Sequence, residues 1–201
     1  MSSQNWVSLL NPRSPHGSGA GAALTTATTA TLSPVTGPGA DVAQVNQEGQ
    51  FQGWDVGLLI RVTARGFITT TATGTTFTPL LAARIGNSGS TYVTLATGPG
   101  ISTPAAANTG LQWKLEALLR CTACANSGNT VSSQGEFEVL PIAAQTILTA
   151  SAVTKVGLPN ASGETAAAVD TTTVQGLSMR GTLAGANATV QLTQWLVEAM
   201  T

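Results

Sequence analysis

Leu111-Gln112-Trp113-Lys114-Leu115-Glu116-Ala117-Leu118-Leu119-Arg120-Cys121 alternates along its length, with Trp113, Leu115, Ala117, Leu119 and Cys121 in one phase and Gln112, Lys114, Glu116 and Arg120 in the other. Successive side chains of an extended chain point to opposite faces, so period two predicts a half-buried strand. Val131 to Leu140 repeats the pattern, with Val131, Ser133, Gly135, Phe137 and Val139 against Ser132, Gln134, Glu136 and Glu138. Between them, Thr122-Ala123-Cys124-Ala125-Asn126-Ser127-Gly128-Asn129-Thr130 is rich in residues that accept turn conformations. The whole stretch predicts a long antiparallel hairpin with one apolar face. Such a hairpin is marginal alone in water and requires a second layer to cover that face.

Working outward, the rest of the chain supplies that layer as further strands. Leu24 to Leu32 is rich in Thr and predicts a first strand, ended by Ser33-Pro34 and Thr36-Gly37-Pro38-Gly39. In Leu58 to Ile68, Ile60, Val62 and Ala64 alternate with Arg61, Thr63 and Arg65. Thr76 to Ile85 follows a polar turn around Gly74, and its Pro79 predicts an edge position or a bend, because proline cannot donate to a ladder. Thr91 to Ala96 is the next strand, and Gly98 to Gly110 a loop. Pro141 to Gly163 reads as a long excursion, broken by Pro159, Asn160 and Gly163. After Val169-Asp170-Thr171-Thr172 comes a strand with Leu177, Met179 and Leu183 on one face, and Gly185-Ala186-Asn187-Ala188 turns it into the last strand, Thr189 to Ala199. That strand has apolar residues in both phases, which predicts cover on both faces, at the centre of a sheet or at a subunit contact. Roughly eight strands with regular turn signals and no convincing helix predict an all-β sandwich or barrel, and the lack of a fixed internal period argues against a propeller or solenoid.

Composition narrows the function. The chain has 201 residues, enough for one domain with a sizeable core. Only 8% of residues are charged, against about 25% in an ordinary globular protein. A hydroxyl-rich, nearly uncharged surface suits either burial against other subunits or a stable extracellular β-protein. The net charge is -1 and the basic residues Arg13, Arg61, Arg65, Arg84, Lys114, Arg120, Lys155 and Arg180 form no run, so a nucleic-acid partner is not expected. The apolar patch Trp6-Val7-Ser8-Leu9-Leu10 follows no basic region and is too short for a signal sequence or a membrane span, which predicts a soluble chain with no membrane partner. Residues 1–21 carry Asn11-Pro12-Arg13-Ser14-Pro15-His16-Gly17-Ser18-Gly19. This region has little to bury and several breakers, so it is expected to be an arm that something else holds in place. Trp6, Val7, Leu9, Leu10 and Arg13 are its candidate partner-binding residues, and the competing reading tucks them onto their own domain.

The segment order resembles a set of small jelly-roll virion proteins of tailed bacteriophages. The resemblance rests on Gly57-Leu58-Leu59-Ile60-Arg61-Val62-Thr63-Ala64-Arg65-Gly66, on Leu111 to Leu119 followed by Gln134-Gly135, on Val169-Asp170-Thr171-Thr172 ahead of a strand, and on Ala186-Asn187 before Val197-Glu198. It extends from near Phe51 to the C-terminus. It implies an eight-stranded antiparallel jelly-roll sandwich over residues 46–201, with residues 1–45 an extended N-terminal arm and first strand. It also implies a homo-oligomer, often a trimer, made in the host cytoplasm and attached to the capsid exterior as a decoration or cement protein, with the major capsid protein as partner.

No enzyme is expected. His16, in the arm, is the one histidine, so no Ser-His-Asp triad or His-rich metal site can be assembled in one chain. Phosphate-binding, dinucleotide-binding and zinc-protease motifs are missing from the sequence, and no cofactor is implied. Cys121 and Cys124 form a CxxC without a second pair and outside a helix start, which reads as structural thiols. Glu136 and Glu138 stand roughly 7 Å apart by strand rise, within the range of a glycosidase pair. With Lys114, Glu116 and Arg120 on the facing strand, cross-strand charge pairing is the simpler account. Asp170 alone is too little for calcium. A receptor- or glycan-binding head-fibre or tail-tip module is the alternative, with Trp54, Tyr92 and Trp195 available for stacking on sugars.

Overall fold

The alternation of residues 111–140 becomes burial: Trp113, Leu115, Ala117, Leu119 and Cys121 are buried, as are Val131, Ser133, Phe137 and Val139. The computed structural model describes residues 6–8, 23–33, 43–45, 56–85, 92–103, 105, 107–140, 155–159, 165–171 and 175–200. In chain order the strands are β1 (Trp6–Ser8), β2 (Thr29–Thr31), β3 (Ala43–Val45), β4 (Leu59–Thr70), β5 (Thr76–Ile85), β6 (Tyr92–Thr97) and β7 (Ile101–Ser102). They continue as β8 (Asn108–Cys121), β9 (Val131–Leu140), β10 (Lys155–Leu158), β11 (Thr165–Ala167), β12 (Gln175–Leu183) and β13 (Ala188–Met200). No helix occurs among the described residues.

The strands form two antiparallel sheets. The seven-stranded sheet has the order β1-β13-β4-β8-β9-β10, with β11 also on β9. The six-stranded sheet has the order β2-β12-β5-β6, with β3 on β12 and β7 on β5. The protein is therefore an all-β sandwich. The expected hairpin is β8–β9, in register from Gln112 opposite Leu140 to Cys121 opposite Val131. The C-terminal strands tie the sheets to the chain's middle, since β13 runs along β4 and its neighbour in sequence, β12, runs along β5 in the other sheet.

The core lies between the sheets. Phe137 of β9 stacks on Trp113 of β8, with ring centres 5.5 Å apart, and meets Phe77 of β5, from the opposite sheet, at 5.7 Å. All three rings are essentially inaccessible to solvent. A polar tie joins the layers as well: the buried Ser133 hydroxyl donates to the Leu95 carbonyl at 2.7 Å. At one end, the turn between β8 and β9 is pinned to residues 165–171. The Val169 N–H donates to Thr130 Oγ1 at 2.9 Å, and the Ala125 N–H donates to Thr171 Oγ1 at 2.9 Å.

Several local expectations are corrected. The last strand, β13, carries apolar residues in both phases because of a bulge between Leu192 and Gln194. The extra residue shifts the phase, so Val190, Leu192, Trp195 and Val197 are all buried. The Thr193 hydroxyl donates to the Arg65 carbonyl at 3.2 Å beside that bulge. Pro79 does not place β5 at an edge: the strand lies between β12 on one side and β6 and β7 on the other. β7 pairs with Thr76 and Phe77 while β6 pairs from Leu80 onward. Proline therefore stands where the neighbour changes and no donor is required, and its carbonyl accepts from the Gly98 N–H at 2.9 Å. Of the strand expected over Leu24 to Leu32, only Thr29–Thr31 forms one, β2, preceded by an isolated bridge from Leu24 to Val190. Where roughly eight strands were expected, the described residues form thirteen segments. β1, β2, β3, β7 and β11 have three residues or fewer, too short for alternation to register.

Candidate functional site

The outward face of the seven-stranded sheet collects most of the protein's charge. Burial of Ile60, Val62 and Ala64 in β4, of the Trp113 phase in β8 and of Phe137 and Val139 in β9 turns the opposite phase of each strand to solvent. The register then sets the side chains in rows. One row runs Glu198, Arg61, Leu118, Gln134, and the next runs Leu196, Thr63, Glu116, Glu136, Gly157. The third runs Gln194, Arg65, Lys114, Glu138, Lys155. With Arg120, the face holds Arg61, Arg65, Lys114, Arg120 and Lys155 against Glu116, Glu136, Glu138 and Glu198, which is nine of the seventeen charged residues in the sequence.

The two glutamates directly opposite each other, Glu116 and Glu136, would repel unless cations flank them. They are flanked. Lys114 Nζ lies 2.8 Å from Glu116 Oε1, and Arg61 Nη2 lies 3.6 Å from the same oxygen. Lys155 Nζ lies 2.7 Å from Glu136 Oε2. This corrects the expected pairing. Glu116 bonds along its own strand and to β4, and Glu136 bonds to β10, so none of these three ion pairs runs between β8 and β9. The Lys114 hydrogen bond, with the Lys114 and Arg61 charges, holds the Glu116 carboxyl below the usual carboxylate range against the opposing pull of desolvation. The hydrogen bond from Lys155 to Glu136 raises the Lys155 ammonium above its ordinary value.

The sign follows from linkage. A depressed carboxylate contributes stability that is present above its unfolded pKa and is lost as pH falls through the folded value. The raised Lys155 contributes below its unfolded pKa and loses that contribution as pH rises through the folded value. Because Glu116 is partly exposed, Glu116→Gln is expected to cost no more than about 1 kcal/mol at neutral pH. The cost is expected to shrink below pH ~4, and urea titrations of both proteins at neutral and acid pH measure it.

Between the ion pairs the face is apolar. Leu118 is 44% exposed, and with Ala117 and Met200 it shares an open groove of about 530 Å³ with Arg61, Glu116, Gln134 and Glu136. Leu118 is an interaction candidate missed in the sequence reading, although the signal was present: it is a leucine in the polar phase of β8. Phe67, 38% exposed on β4, is another.

The sequence candidates fall as follows. Trp6 and Val7 belong to β1, whose backbone pairs with Met200 and Ala199 at the free side of β13. Leu9, Leu10 and Arg13 lie outside the described residues, as does Trp54. Of the aromatics offered for stacking on sugars, Trp195 is buried. Tyr92 carries the Arg180 guanidinium 4.0 Å over its ring and accepts a hydrogen bond from Thr31 Oγ1 at 3.1 Å. Cys121 is buried, Cys124 is exposed, and neither is in a disulfide. Asp170 is half-buried. Among the described residues no group of three or more His, Cys, Asp or Glu side chains is placed to hold a metal ion.

No protein-family model matches the chain, and no curated protein matches it either. Among solved structures, lectin I from Ulex europaeus, in complex with the methyl glycoside of α-L-fucose, aligns over 98% of each chain at 10% identity with a TM-score of 0.39.

Proposed function

We propose that this protein is a structural virion protein of a tailed bacteriophage, a symmetric oligomer, in the simplest case a trimer, that binds the major capsid protein and stabilises the capsid from outside. The reading rests on one observation above the others: the outward face of the seven-stranded sheet carries nine charged residues of both signs, three ion pairs among them, with Leu118, Met200 and Phe67 between. Arginine, methionine and phenylalanine are among the side chains enriched in protein-docking surfaces, whose rim is polar, and this face supplies Arg61, Met200 and Phe67. Five cations matched by four anions on it do not suit a phosphate backbone. The nested pairing of β4 with β13 and β5 with β12 supports a jelly-roll reading of the sandwich. On this account the sandwich supplies a rigid body, and affinity comes from many modest contacts repeated around the particle.

The arm carries part of the docking. Deleting residues 1–20 is expected to leave a folded sandwich, because β1 contributes three residues to one sheet edge, and to lower occupancy on purified empty heads at least tenfold. Truncated protein that decorates heads at wild-type occupancy would contradict the arm's role. A glycan array run on the same preparation tests the receptor-binding alternative, which the open groove on this face would serve; binding to a defined sugar with none to heads would replace the capsid reading.

A further inference from the structure

The free side of β13 is covered in two separate places by the N-terminal part of the chain. Trp6, Val7 and Ser8 pair with Met200, Ala199 and Glu198. Leu24 then pairs with Val190, its N–H and carbonyl each bonded to the Val190 backbone at 2.9 and 3.0 Å. Both contacts are antiparallel to β13, so the two anchors lie along one edge, eight strand positions apart, while sixteen chain positions join Ser8 to Leu24. At about 3.3 Å per residue the edge requires about 26 Å and the connection can reach about 53 Å. Its Pro12 and Pro15 have no N–H to donate to a ladder.

From this geometry we infer that β1 is an exchangeable strand, which in the assembled protein pairs with β13 of a second copy of the same chain. The inference rests on the homo-oligomeric reading above and names its linkage. The Glu198–Met200 edge accepts the same three residues whichever copy supplies them, so every ladder bond is kept on exchange. The connection is twice as long as the intrachain path, so it can reach an edge up to about 53 Å away on a second copy as well as the chain's own. What exchange adds is a physical tie between copies, which converts a weak three-residue pairing into one link of a closed ring. Met200 also borders the Leu118 groove, so an arriving strand seats its copy beside the charged face.

The test uses full-length chains in a Cys124→Ser background. Val7 and Ala199 are directly opposite each other, and Val7→Cys and Ala199→Cys are made singly, with different tags, and together. The single variants are co-expressed, purified as the native assembly, oxidised and run on a non-reducing gel. Exchange predicts a mixed-tag dimer joining position 7 of one chain to position 199 of another, and movement of most of the double variant from the monomer band to the size of the closed oligomer. Monomer bands alone, whether or not closed on themselves, would overturn it. The native mass and head binding of the uncrosslinked protein are read in parallel. An oligomer that binds heads yet crosslinks only within chains sinks strand exchange and leaves the proposed function standing, whereas loss of head binding with the mixed dimer present does the reverse.

Discussion

Phe137→Ala is expected to destabilise the protein by about 3 to 5 kcal/mol, the range for removing a buried phenylalanine. Phe137 is a ring that bridges the two sheets, stacked on Trp113 of its own sheet and tilted against Phe77 of the other. Its removal forfeits the apolar transfer term, two ring contacts and the packing around the void left behind. The neighbours cannot close that void easily. Trp113 and Phe77 lie on long strands held on both sides, β8 between β4 and β9, and β5 at Phe77 between β12 and β7. For a domain whose net stability is of order 5 to 15 kcal/mol, the loss lowers the melting temperature by roughly 10 °C. Differential scanning calorimetry beside the wild type measures it. Phe137→Leu, which refills most of the volume, is expected to recover more than half.

Gly66→Ala is expected to be at least as damaging, by about 3 kcal/mol or more, although it adds a single methyl group. Gly66 lies in β4 opposite Trp113 on one side and Leu192 on the other. A Cβ there would run into the Gln191 carbonyl oxygen, and would lie 2.6 Å from the Trp113 ring. One obstacle is backbone of the adjoining strand, and the other is the largest side chain in the core. Neither can rotate away, so the strand must separate from β13 next to the Leu192–Gln194 bulge or Trp113 must leave its stack on Phe137. Expression yield, urea midpoint and near-ultraviolet circular dichroism of the tryptophans report the two routes separately. Ala64→Gly, two residues away and buried without such a clash, is the control and is expected to lose only about 1 kcal/mol.

How much of this was legible follows from where alternation operates without interruption. β4, β8 and β9 are long, half-buried strands whose inward faces alternation made legible, although β4 runs on to Thr70 and β8 begins at Asn108, inside the stretch expected to be a loop. β13 was legible as a strand but not in its phase, because a bulge at Thr193 leaves no trace in composition. Pro79 misled for a physical reason: proline marks a position lacking a donor, and the interior of a sheet can supply such a position where one neighbour ends and another begins. The short strands β3, β7, β10 and β11 owe their existence to longer strands already in place, which is tertiary information, whereas β2 falls inside the strand expected over Leu24 to Leu32. The same limit governed the charged face. Lys114, Glu116, Glu136 and Glu138 were readable as its members. That Glu116 would bond Arg61, and that Glu136 would bond Lys155 from within the apparent excursion, depends on strand order, which single-strand periodicity does not contain. Leu118 was overlooked because a leucine doublet in an apolar strand draws no notice until its partner residue is seen to face inward.

The central claim is that the molecule works by assembly, as a homo-oligomer that docks on a protein lattice. Its most direct test is the native mass of the purified protein, measured alone and again after mixing with the purified empty phage heads that the proposed function names as its partner. The account predicts a discrete oligomer in solution, a trimer being three times the 20.2 kDa chain, and saturable binding to heads at a fixed ratio to the major capsid protein. A monomer at all concentrations that leaves heads bare would contradict it.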